Sequence, residues 1–147
     1  MKKFLHMVTL VFIVGFFSAC ASGPGFQEVN PSLVSDQPDM GRIFFYMPSS
    51  MGAAFQPEVL LNEEAVGRAK SLGYFYVDRP PGDYKVYARN DADRAVSFTL
   101  EKGKTRFIRL SVSMGFAGKV YGEVVEESVG LSEIQKCKTI VPKTEAK

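Results

Sequence analysis

The chain has 147 residues, a one-domain length, and its 46% hydrophobic content is enough to bury a core. Its formal charge of +2 rests on Lys2 and Lys3; without those two, the 18 basic side chains fall to the number of the 16 acidic ones. A neutral domain has no basic footprint for gripping phosphates, which excludes a nucleic-acid binder of the basic-patch kind.

From Met1 to Cys20 the chain runs through Lys2-Lys3, then an apolar stretch from Phe4 to Phe17 interrupted by His6, Thr9 and Gly15, then Ser18-Ala19-Cys20. That charged, apolar, small-residue order is the order of a secretory signal. The stretch is shorter than the roughly 20 residues a spanning helix needs, so removal is preferred over a retained membrane helix.

Phe17-Ser18-Ala19-Cys20 resembles the lipobox of bacterial lipoproteins, in which small residues precede a cysteine that is acylated and becomes the new N-terminus. The resemblance implies cleavage between Ala19 and Cys20, several acyl chains on Cys20, and a lipid bilayer as the partner reached through that residue. It also implies, from Ala21 after the cysteine, the periplasmic face of the outer membrane in a Gram-negative cell. Two or more acyl chains give stable anchoring where one is marginal. Ala19-Cys20-Ala21 also satisfies the Ala-x-Ala pattern of ordinary signal cleavage, which would leave a soluble periplasmic protein. With Cys20 acylated, Cys137 has no disulfide partner in the chain and is buried as a small hydrophobe, paired between molecules, or reactive; Ile134 and Ile140 around it favour burial.

Residues 20–40 carry Gly23-Pro24-Gly25, Pro31 and Pro38 among Ser, Asn and Gln, with isolated apolar residues that fit neither a helical nor a strand period. They are expected to be a flexible tether behind the lipidated N-terminus. From Gly41 onward, short runs of aromatic and branched residues alternate with turn residues. Strands are predicted over Arg42–Met47, Glu58–Leu61, Ala65–Ala69, Tyr74–Asp78, Asp83–Asn90, Val96–Leu100, Thr105–Ser113 and Val120–Glu126. Pro80-Pro81-Gly82 ends one of them, and Lys102-Gly103-Lys104 is read as the turn of a hairpin. Val96, Phe98 and Leu100, like Ile108, Leu110 and Val112, alternate with polar residues and mark core faces. A short helix begins near Ser128, and residues 141–147 form a disordered tail.

The expectation is therefore an all-β domain over residues 41–140: an immunoglobulin-like antiparallel β-sandwich of about seven or eight short strands with one short C-terminal helix. Arg42-Ile43-Phe44-Phe45-Tyr46 with Pro48, Leu61-Asn62-Glu63, Gly67, Gly73-Tyr74-Phe75, Pro80-Pro81-Gly82-Asp83-Tyr84 and Leu100 through Thr105 carry a resemblance. In order and spacing they resemble the small bacterial lipoproteins and exported domains of domain-of-unknown-function family 2846 (DUF2846). Asn62 through Tyr84 is also similar to the Pro-Pro-Gly hairpins of PEGA-type surface β-domains. The resemblance implies a sandwich and no assigned activity, and it brings no catalytic residues.

The only histidine, His6, lies in the signal, so the mature chain has no histidine-based triad or metal site. Asn90-Asp91-Ala92-Asp93 places oxygen ligands at alternate positions but lacks the rest of a calcium loop, and reads as a turn. No catalytic residue, cofactor or metal ligand is assigned. Two loops are unusual: Ser50-Met51-Gly52-Ala53-Ala54-Phe55 and Ser113-Met114-Gly115-Phe116-Ala117-Gly118 both follow predicted strands and both read Ser-Met-Gly with small and aromatic residues. Either Met51, Phe55, Met114 and Phe116 fold inward and cap the core, or the loops meet at one end of the sandwich and offer these side chains to a partner or the membrane interface.

The expected function is that of a membrane-anchored, non-enzymatic module for an envelope protein partner or a glycan. A carbohydrate- or peptidoglycan-binding domain would show a groove lined by the aromatics of Phe44–Tyr46 or Tyr74–Tyr76. A carboxylate hydrolase would show two acidic side chains facing each other in a cleft.

Overall fold

A computed structural model describes residues 20–115 and 118–140. The signal segment, Ala19, Phe116 and residues 141–147 lie outside the described residues. Among the described residues nine strands form two sheets: β1 (Gly41–Met47), β2 (Glu58–Leu61), β3 (Glu64–Arg68), β4 (Gly73–Arg79), β5 (Gly82–Ala88), β6 (Val96–Leu100), β7 (Thr105–Val112), β8 (Val120–Val125) and β9 (Lys138–Thr139). Two helices are described, α1 (Phe26–Val29) and α2 (Glu127–Ile134). One sheet has the order β8-β7-β1-β4-β9 and the other β3-β2-β5-β6. The protein is an all-β sandwich.

The first six strands carry immunoglobulin connectivity. The pair β1–β4 occupies the places of strands B and E, and β3-β2-β5-β6 those of C′-C-F-G. A tyrosine corner marks the correspondence: Tyr84, near the start of β5, donates its hydroxyl to the Pro80 carbonyl at 2.7 Å. The flanking places, A and D, are filled from the C-terminal part of the chain by β7 and β9.

That filling corrects the expectation of a purely antiparallel sandwich, because β7 runs parallel to β1 and β9 parallel to β4. The β6–β7 hairpin is corrected too. β6 pairs with β5 in one sheet and β7 with β1 and β8 in the other, so Lys102-Gly103-Lys104 bridges the layers. Face alternation is the same in a strand read in either direction, and it therefore left the pairing open.

Residues 20–40 are not a free tether. Ala21 donates to the Ser71 carbonyl (3.2 Å), Thr139 donates to Pro24 and Phe26 to Cys137 (2.8 and 3.0 Å), and the Thr105 hydroxyl donates to the Leu33 carbonyl. This strap and α2 together cover the outer face of the five-stranded sheet. The cause is a second apolar surface: β1 and β4 put Phe45 and Phe75 between the sheets but Phe44, Tyr46 and Tyr74 outside them. Phe26, Ile134 and Cys137 close over those outer rings together with Phe107, so all seven residues of β1 are buried. Phe26 meets Phe44 and Tyr74 edge-on, at centroid distances of 6.0 and 5.2 Å.

Candidate functional site

The two apolar loops lie at one end of the sandwich, and Cys20 lies at the same end. β1 and β7 are parallel, so the loops that follow Met47 and Val112 leave the sheet on the same side. β4 is antiparallel to β1 and begins there, with Gly73 opposite Met47. Cys20 forms a parallel bridge with Ser71, immediately before β4. Ser71 is fully buried, and its hydroxyl contacts the Met47 sulfur at 3.7 Å.

The loops are tied together by backbone geometry that their glycines permit. Gly52, at φ 86°, backs onto Val112, where a Cβ would collide with the valine side chain. Gly118, at φ 50°, lies under the ring of Phe55, which occupies the space its Cβ would take. The Ser49 hydroxyl accepts the Met51 N–H at 3.0 Å, and Phe55 N–H donates to Gly52 at 2.7 Å. From the other sheet, Asn90 donates to the Gly118 carbonyl and accepts from the Val120 N–H, both at 3.3 Å. Despite this framework the large side chains face solvent: Met51 is 57% exposed, Phe55 36% and Met114 85%. Phe116 lies outside the described residues.

Basic residues outnumber acidic ones among the loops and terminal strand residues of this end: Arg68, Lys70, Arg89, Arg94, Lys119, Lys136 and Lys138 against Glu58, Asp91 and Asp93. The opposite end has Asp36, Asp39, Glu63, Glu64, Glu101, Glu126 and Glu127 against Arg79, Lys102 and Lys104. The neutral domain is thus polarised along its strands. No local run of charge signals this, because each end collects its residues from loops far apart in sequence.

Several of the groups that could do other chemistry are engaged. Buried Asp91 is paired with Arg94 and with Lys119, the latter at 3.4 Å, so its loop is held by two cations. Glu123 and Glu133 both face Arg109, at 3.2 and 2.9 Å, and Glu133 also accepts the Tyr46 hydroxyl at 2.7 Å. Burial, and then Glu133, raises the Tyr46 phenol, which stays protonated as that donor. Of the aromatics that would line a glycan groove, Phe44, Phe45, Tyr46, Tyr74 and Phe75 are buried and Tyr76 is exposed beneath the Arg42 guanidinium, 4.2 Å from its ring centroid. Cys137 is buried in the outer core, where loss of solvation pushes its thiol up to about 12. No described helix is long and apolar enough to cross a membrane.

An immunoglobulin-type sandwich strapped on one face, with an apolar and basic end that also carries Cys20, is the class of protein these features define. The family model described as "Protein of unknown function (DUF2846)" matches residues 37–123, and the chain belongs to this family. A protein of Haemophilus influenzae, described as an uncharacterized protein, is 24% identical over 141 residues, covering 92% of this chain and 84% of that one. No solved structure matches the chain.

Proposed function

We propose that this chain is an envelope lipoprotein, cleaved before Cys20 and acylated there, whose sandwich serves as a non-enzymatic binding or structural module. The observation that carries the reading is the placement of a cysteine after Ser18-Ala19 at the end of the apolar run that follows Lys2-Lys3. The position of Cys20 in the fold supports it. Its bridge to Ser71 puts the sulfur-bearing residue at the edge of the domain, where acyl chains can enter a bilayer while Ala21 holds the fold close behind. Ala21 after the cysteine favours the periplasmic face of the outer membrane. The non-enzymatic part rests on a mature chain without histidine and on carboxylates bound by arginine and lysine.

Expression of the wild type and of Cys20→Ser, followed by cell fractionation and mass spectrometry of the mature N-terminus, tests the proposal. The expected result is acyl mass on Cys20 and membrane retention in the wild type only. A wild type without acyl mass, soluble in the periplasm like the variant, would overturn it.

A further inference from the structure

We infer that the Cys20 end of the sandwich is itself a docking surface for an anionic bilayer, so that the domain stands end-on at the membrane with its acidic end directed away. This deepens the lipoprotein reading and rests on it for the identity of the surface, while the docking residues are separate from the acylated one. Three independent features converge on one end. Met51, Phe55 and Met114 are exposed there on loops locked together by the Phe55–Gly118 contact, although loops are usually polar. Basic side chains are in excess at that end and acidic ones at the other. Cys20 is bridged to Ser71 at the same end, so an anchor on it would hold this end toward the lipid.

The physical terms add in one direction. Methionine and phenylalanine side chains gain by leaving water for the acyl boundary, and each lysine or arginine near an anionic leaflet adds attraction that salt weakens. The axial charge asymmetry also opposes the inverted orientation, because the far end carries Glu63, Glu64 and Glu101. A flat aromatic groove for a polymer or a deep pocket for a small molecule would place its apolar groups in a concavity; these project from turns.

The test uses two measurements. First, the chain from residue 20 with Cys20→Ser, which retains every described contact of the strap and sheets apart from the cysteine side chain, is mixed with phosphatidylcholine vesicles with and without phosphatidylglycerol. Salt-sensitive binding to the anionic vesicles is expected, reduced about tenfold or more in Met51→Ser/Met114→Ser. Circular dichroism checks that this variant folds, which its exposed positions allow. Second, the acylated full chain is reconstituted in the same vesicles with a fluorophore on Met114→Cys or on Glu101→Cys, which is exposed at the far end. Lipid-borne quenchers are expected to quench position 114 and spare position 101.

Equal quenching at both positions, or vesicle binding unchanged by the methionine substitutions, would overturn end-on docking even with Cys20 acylated. Conversely, absence of acyl mass with intact vesicle binding of the Cys20→Ser chain would overturn the anchor and leave the docking surface standing. A dimer in sedimentation velocity that dissociates in Met51→Ser/Met114→Ser would assign the surface to a second copy and overturn the bilayer.

Discussion

Arg42 and Asp78 face each other across the β1–β4 pair, and the guanidinium donates to both carboxylate oxygens, at 2.7 and 2.9 Å. A third N–H of Arg42 donates to the Ser32 carbonyl at 2.6 Å. One buried cation thus joins the strand pair to the strap. The Arg42 hydrogen bond holds the Asp78 carboxyl below its usual range.

Asp78→Ala is therefore expected to cost about 3 kcal/mol, most of it from leaving Arg42 buried without its hydrogen-bonded carboxylate, with only the exposed Asp36 left, at 3.9 Å. Because the folded-state pKa of Asp78 is depressed, its contribution is complete above the ordinary carboxylate value of about 3.9 and is lost as pH falls through the lower folded value. Urea unfolding of wild type and variant should show a constant gap from neutral pH down to about pH 5, closing on the acid side of that carboxylate value. A gap that widened on acidification would disprove the assignment.

Gly130 sits in α2 where the helix crosses Phe107, and a Cβ there would come within 2.6 Å of the Phe107 Cβ. In an exposed helix Gly→Ala gains about 1 kcal/mol. Here the contact is with the root of a side chain rather than its movable tip, and overpacking costs about 1–3 kcal/mol. Gly130→Ala is expected to lower the midpoint of chemical unfolding, whereas helix propensity alone would raise it.

Much of this architecture could be read from residue patterns, and the limits of the reading have physical causes. Val96-Phe98-Leu100 and Ile108-Leu110-Val112 announce their buried faces by alternation, and β2 begins and ends where the turn residues place it. Phe44-Phe45-Tyr46 does not alternate, and that was the available signal for a second covering layer, since strands buried on both faces read as continuous apolar runs. The cover itself was illegible. Phe26 and Leu33 lie along the sheet in a strap with no periodic backbone, so they look like stray apolar residues in a linker. At the candidate site, the Ser-Met-Gly echo singled out the loops, but their placement beside Cys20 depends on the parallel β1–β7 pairing, which face alternation does not encode. Its basic residues come from separate loops, and only the three-dimensional arrangement brings them together.

The tyrosine corner gives a prediction about the crossing between sheets. Tyr84 ties β5 to Pro80, the residue at which the chain leaves one layer for the other. Tyr84→Phe keeps the ring stacked on Phe98, 6.0 Å between centroids, and removes only the hydroxyl. A loss of about 1 kcal/mol in urea unfolding, with unchanged m-value, is expected. A stability equal to wild type would show that solvent replaces the bond without cost.

The strap can be tested through the thiol it helps to cover. Cys137 is buried beside Phe26, whose N–H donates to the Cys137 carbonyl at 3.0 Å, and its thiol is pushed up to about 12. In a Cys20→Ser background, Cys137 should resist thiol reagents at neutral pH, because little thiolate forms and the sulfur is enclosed. Phe26→Ala removes the ring that meets Phe44 and Tyr74, and the strap can then open while the two sheets keep their own core. Labelling of Cys137 should accelerate about tenfold for every 1.4 kcal/mol by which the local opening becomes easier. The unfolding midpoint of the sandwich should fall less than a global opening of that size would require. A freely moving linker would make neither rate nor midpoint depend on Phe26, so an unchanged labelling rate would refute the strap.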